Sequence, residues 1–321
     1  MPDQKEIPIP IPSVEDAYKF CKFDLNPDGS LTRLTQFDMP TAPAVPEIKP
    51  DDSDAGIIAL SRDIPLNRKN KTYIRLFRPR NIQPETKLPI IFHFHGGGFM
   101  WLGPNSIIYT ELCSRVAAHS LAVVASVGYR LTPENRLPDA YDDAVEAINW
   151  AKTQAMAADD GGRGECDPWM QELADFSRIF LMGLGSGGNI VYHAGLRVLD
   201  LDLEPLKIIN YASDPVIPLH ATDLMWSLAL PEGSDRRHEY CDPSNVGSHG
   251  DEIGRLPTTV VRAYEGSLLV DRQKEFAKML DARGVHVAPR FIEGGYHAAD
   301  VEPMSAQALY DDVRDFVSCI L

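Results

Sequence analysis

Three short stretches of the chain hold residues able to do chemistry. The first is residues 178–189, Arg-Ile-Phe-Leu-Met-Gly-Leu-Gly-Ser-Gly-Gly-Asn, an apolar run ending in a glycine-dense turn. This is the layout of the G-x-S-x-G bend, which lifts a nucleophilic serine onto the tip of a strand-to-helix turn. Laid on Gly183 to Gly187, the pattern puts Gly185 at the nucleophile position, and the serine present, Ser186, falls one residue late. The second stretch, His95-Gly96-Gly97-Gly98-Phe99, directly follows the apolar run 88–94. Glycines there let backbone N–H groups approach and polarise a ligand carbonyl, as in an oxyanion hole. Gly96, Gly97 and the amide of Ser186 are the expected donors. The third is Glu293-Gly294-Gly295-Tyr296-His297, whose histidine is a candidate general base. Together these groups suit attack on a carbonyl carbon, or proton transfer beside one.

Such residues meet only if the elements before them end side by side. After residue 56 the chain alternates. Strands are expected at 72–77, 88–94, 121–127, 178–182, 258–264 and 287–292, from short apolar runs rich in β-branched and aromatic residues. Helical periodicity marks 107–118, 140–152, 187–199, 270–283 and 304–317. The alternation implies an α/β fold with a mostly parallel central sheet, helices on both faces, and ligands bound beyond the strands' carboxyl ends. One place is thin. After 187–199 only Leu206-Lys207-Ile208-Ile209 reads as strand before the polar Asn210, so a short sheet is expected there. Towards the N-terminus, the Ile-Pro repeat at 7–12 cannot be helix. Ser13 is an expected N-cap for a helix at 14–22. Residues 40–56 and 159–164 read as irregular surface segments.

Composition excludes several partners. The 321 residues carry a net charge of −15, which disfavours nucleic acid and anionic membrane surfaces. Five scattered cysteines with no C-x-x-C pair argue against a disulfide framework or a zinc site, and for a reducing compartment. No secretory signal and no apolar stretch of membrane-spanning length is found, so a cytoplasmic protein is expected. His93 and His95 alternate at a strand end but lack a third ligand, and are read as packing groups; no metal or cofactor is expected. Gly183–Gly188 lacks the Lys-Ser/Thr of a phosphate loop.

The three stretches, with Tyr129-Arg130-Leu131-Thr132-Pro133-Glu134-Asn135, Leu137–Asp143 and Leu268–Gln273, occur in a recognisable order. The sequence resembles the plant carboxylesterase group of the hormone-sensitive-lipase-like α/β-hydrolases. The resemblance implies a single α/β-hydrolase domain over 1–321, with a cap drawn from 1–50 and from about 215–250. It also implies a Ser-Asp-His triad in that chain order. Here the histidine is His297, the nucleophile position holds Gly185, and the acid position holds Ser267, so two members of three are substituted. Of the acidic neighbours weighed as alternatives, Glu265 could reach a histidine, whereas Asp271, one helical turn past Ser267, has an Asp counterpart in the family beside the proper acid, which implies an independent role. Ser186 is a nucleophile only if the turn shifts register by one residue. Phe99, Trp226 and Tyr296 are the expected substrate contacts, and Asp142 and Asp143 are expected to brace the helix beside the oxyanion hole.

Losing the serine of such a triad costs on the order of 10⁶ in turnover. The expected function is therefore action on a small, moderately apolar plant metabolite bearing a carbonyl. Serine-dependent hydrolysis would be impaired, with non-hydrolytic proton transfer (elimination or cyclisation) by His297 and the oxyanion hole in its place. Two alternatives stand beside it. One is a non-catalytic receptor, as among the family's hormone-receptor relatives. The other is a carboxylesterase, either an inactivated variant or active through Ser186. A laboratory substitution would account for Gly185 but not for Ser267. A monomer or homodimer is expected.

Overall fold

The computed structural model describes residues 13–34, 40–47, 56–159, 165–201, 206–211, 219–245, 250–267, 269–296 and 306–318. The Ile-Pro repeat, the loop 160–164 and His297 lie outside the described residues. The chain opens with helix α1 (Val14–Phe20), capped reciprocally: Ser13 Oγ accepts from the Asp16 N–H, and the Asp16 carboxylate accepts from the Ser13 N–H. An antiparallel hairpin follows, β1 (Phe23–Leu25) and β2 (Leu31–Arg33).

The central sheet is built from β3 (Ala59–Asn67), β4 (Thr72–Pro79), β5 (Leu88–Phe94), β6 (Val123–Gly128), β7 (Ala174–Leu184), β8 (Leu206–Tyr211), β9 (Thr259–Tyr264) and β10 (Val287–Ile292). Their order is β10-β9-β8-β7-β5-β6-β4-β3. The strands from β10 to β6 are parallel, while β4 and β3 run antiparallel at one edge. The connecting helices are α2 (Ile107–Ser120), α3 (Asp139–Asp159), α4 (Pro168–Leu173), α5 (Ser186–Arg197), α6 (Leu219–Ala229), α7 (Val270–Asp281) and α8 (Gln307–Ser318).

All seven residues of β5 are buried, as a strand covered on both faces requires. Ile90, Phe92 and Phe94 pack in one core with α3 and α5; Ile91 packs in the other with α2 and α8. The chain leaves β5 towards β6 on one side and returns as β7 on the other. The sheet therefore has its switch point between β5 and β7, where ligands bind in open α/β sheets. Phe94 is paired with Gly183, so residues 95–98 and the turn at 185 emerge side by side.

One expectation about the sheet needs correction, and one strand was not anticipated. β8 is not short: it continues through Asn210 and Tyr211, paired with Gly183 and Leu184 of β7. Ladder hydrogen bonds are made by the backbone, so a polar residue at the strand's end does not stop pairing. β3 is an additional strand within 56–72. Its Arg62, Asp63 and Pro65 break any apolar run, which an edge strand tolerates. A separate small core joins Cys21, Phe23, Met100, Trp101, Ala221, Met225 and Leu228. It packs the N-terminal segment and α6 together over the loop that follows β5.

Candidate active site

β7 delivers the chain to Gly185, which caps α5 with φ 57° and ψ −120°. Side chains rarely adopt that backbone, and it is what a sharp strand-to-helix elbow needs at its apex. Gly185 therefore stands at the apex of the bend, with Ser186 following it as the first residue of α5. The flanking glycines are sterically required. A Cβ on Gly183 would overlap the Gly187 carbonyl, and one on Gly187 would overlap that of Phe94. Ser186 is the first residue of α5; its hydroxyl is buried and has no partner among the described residues. Its backbone N–H is one of those a helix start leaves unbonded within the helix.

The loop after β5 is left-handed at Gly97 (φ 113°), Gly98 (φ 61°) and also Phe99 (φ 65°). It is held by Met100 N–H and Trp101 N–H donating to the Gly97 carbonyl, both at 3.0 Å, and by Thr132 N–H donating to that of Phe99 at 2.9 Å. The Gly96 N–H donates to the Tyr109 hydroxyl at 2.9 Å. The N–H of Gly96, one of the expected donors, therefore already has an acceptor. The N–H groups of Gly97 and Gly98 have no hydrogen bond among the described residues.

Beneath this loop, His95 Nδ1 lies 2.8 Å from the Gly96 carbonyl, and its ring stacks on Tyr129 with centroids 4.2 Å apart. A carbonyl partner puts the proton on Nδ1. His93 Nδ1 meets Ser126 Oγ at 2.9 Å and Cys113 Sγ at 3.3 Å. Burial pushes His93 down to about 3 and His95 down to about 4, and Cys113 up to about 12, so all three are neutral. They are packing groups, as expected. A cavity of about 240 Å³ opens against His95, Tyr129, Tyr73 and Asn105 rather than against Gly97 or Gly98.

The elbow is braced from α3. Tyr141 Oη donates to Asn189 Oδ1 at 2.6 Å, and Asn189 Nδ2 donates to the Tyr240 carbonyl at 2.8 Å. Asp143 is fully buried and accepts from Arg130 through both backbone and guanidinium; burial holds its carboxyl above the usual range against that pairing. Asp142 pairs with Arg197 at 2.6 Å. Both aspartates brace, as expected.

The remaining candidates are placed unequally. Ser267 is buried in the turn after β9, with Oγ accepting from Leu269 N–H at 3.2 Å. That turn bonds the segment leading to His297: Glu265 N–H donates to Ile292 O at 2.9 Å, and Gly266 N–H to Gly294 O at 3.3 Å. Neither alternative acid is poised in this turn, since Glu265 is exposed and paired with Lys274, and Asp271 is exposed in the first turn of α7. Trp226 meets Phe99 edge-on, with centroids 5.5 Å apart, and the Met225 methyl lies against Gly98. Tyr296 is 45% exposed. Sequence reasoning missed Tyr109, which lies on an ordinary helical core position that neither spacing nor residue type marks.

Comparison with known proteins agrees with this architecture. A family profile described as alpha/beta hydrolase fold matches residues 91–300. A probable carboxylesterase 8 of Arabidopsis thaliana is 44% identical, over 96% of this chain and 95% of its own. The 3-O-acetylpapaveroxine carboxylesterase CXE1 of Papaver somniferum is 38% identical, over 94% and 97%. Among solved structures, a brefeldin A esterase, titled a bacterial homologue of human hormone-sensitive lipase, superposes with a TM-score of 0.66 at 22% identity, covering 86% of this chain and 80% of its own. With the sheet order, the elbow and the glycine loop in place, these matches show that the chain belongs to the α/β-hydrolase fold family and, within it, to the plant carboxylesterase group.

Proposed function

We propose that this protein keeps the carbonyl-binding half of an esterase site and lacks the covalent half. The observation that carries this reading is Gly185: the apex holds the elbow backbone but has no side chain to attack a substrate. Ser267 at the acid position supports it, because a hydroxyl cannot stabilise an imidazolium as a carboxylate does. The Gly97, Gly98 and Ser186 amides polarise a substrate carbonyl. His297 takes a proton from the carbon beside it, and charge develops on the oxygen facing those amides. In an elimination, the electron pair returns from that oxygen to form a carbon–carbon double bond as a group on the next carbon departs, taking the proton back from His297; in a cyclisation, the same pair bonds an electrophilic carbon of the same molecule, which takes up that proton. Neither route forms an acyl-enzyme. The N-terminal segment and α6 form the cap, with Phe99, Trp226 and Tyr296 as walls for a small, moderately apolar metabolite. The poppy relative is by name a carboxylesterase of 3-O-acetylpapaveroxine, which supports a substrate of that general size.

The test is intact-mass labelling with a fluorophosphonate probe, followed by His297→Ala. No adduct is expected on Ser186, and His297→Ala should reduce turnover of a carbonyl substrate far more than its binding. A stoichiometric adduct on Ser186 would overturn the proposal in favour of a working serine esterase. The absence of both nucleophile and acid also favours a second reading, a pure binder. That protein would turn nothing over and would keep its ligand affinity in His297→Ala.

A further inference from the structure

Arg33 ends β2 of the N-terminal hairpin, yet its guanidinium is bound to the walls of the carbonyl site. Nη1 donates to the Met100 carbonyl at 2.7 Å, across a separation of 67 residues. Nη2 donates to the Thr132 carbonyl at 2.6 Å. Nε and Nη2 also grip both oxygens of Glu134, at 2.9 and 2.6 Å. The same group lies over the Phe23 ring, 4.7 Å from its centroid. A second tie runs in parallel, Trp101 Nε1 donating to the Cys21 carbonyl at 3.2 Å.

The loop held in this way is the strained one. Gly97, Gly98 and Phe99 are left-handed, and Thr132 N–H bonds the Phe99 carbonyl. Arg33 therefore joins three bodies through one planar group: the hairpin, the segment just past Gly98, and the 129–135 segment that buttresses it. A rigid fork can hold two carbonyls and a carboxylate at once; a lysine ammonium cannot do so in the same geometry. Side chains that fix such a loop decide where its N–H groups point, and small misplacements there are expensive in chemistry.

We propose that Arg33 is a positioning residue through which the docked N-terminal hairpin sets the direction of the Gly97 and Gly98 amides, so that the carbonyl site is complete only when the hairpin is seated. This rests on the reading of those amides as carbonyl donors. The test uses the full chain, with Arg33→Met, Arg33→Lys and Glu134→Gln. Hydrogen–deuterium exchange is followed over residues 95–103. Binding of 4-nitrophenolate, whose oxygen stands in for the developing oxyanion, is compared with that of neutral nitrobenzene at pH 8.5.

Arg33→Met should raise exchange at Met100 and Trp101, whose N–H groups bond the Gly97 carbonyl, while β7 and α5 stay protected. It should weaken phenolate about tenfold or more and leave nitrobenzene within about twofold. Arg33→Lys should recover little of this. Glu134→Gln keeps both carbonyl contacts and should change phenolate binding less than about threefold. Unchanged exchange in both Arg33 variants, or a phenolate preference that survives them, overturns the clamp. An unsubstituted protein with no preference for phenolate over nitrobenzene removes the donor reading on which the clamp rests.

Discussion

Putting a serine back at the apex probes both the backbone and the chemistry. Gly185 sits at φ 57° and ψ −120°, outside the regions open to L-residues, where a side chain costs about 1–3 kcal/mol. Replacing glycine also stiffens the unfolded chain, which offsets about 0.4–1 kcal/mol of this. Gly185→Ser should therefore destabilise by about 1–2 kcal/mol. Unfolding entropy near 2.1 cal/mol/K per residue, applied to 321 residues, gives about 0.7 kcal/mol/K, so Tm should fall by about 1.5–3 °C. The same variant gains a hydroxyl at the apex and should take a fluorophosphonate adduct at position 185. Labelling should be slow while position 267 lacks a carboxylate, a defect worth up to about 10⁴ in the triad enzymes. Adding Ser267→Asp should accelerate it. The carboxylate can still accept the Leu269 N–H that Ser267 Oγ now accepts. Scanning calorimetry and adduct mapping read the two effects separately. A Tm that rises in Gly185→Ser would refute the strained apex. A folded double variant with no adduct at 185 would refute its alignment for attack.

Two further outcomes follow from buried groups around the loop. Tyr109→Phe removes the acceptor of the buried Gly96 N–H and should cost about 1–3 kcal/mol, read as a lower urea midpoint; an unchanged midpoint would mean that the amide finds another partner. His93 and His95 are buried and neutral, with pKa values pushed down to about 3 and about 4. The unfolded chain therefore takes up their protons first as pH falls from the ordinary value near 6.5, so their contribution is complete above about pH 7 and is lost on acidification. Between pH 7 and pH 5 the loss should reach at most about 4 kcal/mol for the pair. Urea midpoints at the two pH values measure it, and equal midpoints would contradict the buried neutral pair.

Most of the strands read from sequence are buried on both faces, although the part-exposed β10 was legible as well. The 88–94 run becomes β5 without revision, because a fully covered strand must be apolar throughout. β3 was invisible because an edge strand can carry Arg62, Asp63 and Pro65. The tail of β8 was invisible because backbone pairing continues past Asn210. At the site, the glycine runs announced a turn and an amide-rich loop, but a glycine permits both hands of backbone. The fold keeps the apex at Gly185, where the glycine pattern had laid it, and only Tyr109, 13 residues further on, shows which of three consecutive glycines has its N–H already spent. Arg33 is 67 residues from the carbonyl it binds, a distance at which spacing carries no signal.

Why the elbow keeps its shape around a glycine follows from the same contacts. Gly187 lies so close to the Phe94 carbonyl that any side chain would separate α5 from β5, and Gly183 is pressed in the same way on Gly187. Asn189 then ties the first turn of α5 to Tyr141 and Tyr240. None of these contacts involves a side chain at 185. The bend is a joint between the sheet's switch point and α5, stabilised by close packing and hydrogen bonds that do not depend on a nucleophile. The Ser186 amide hangs on that joint and the Gly97 and Gly98 amides on the loop beside it, so the placement of all three is independent of a hydroxyl at 185. In the reading proposed above, a site with this construction loses covalent chemistry through the residue at 185 alone and keeps its amide groups, and His297 would then determine whether the bound molecule reacts.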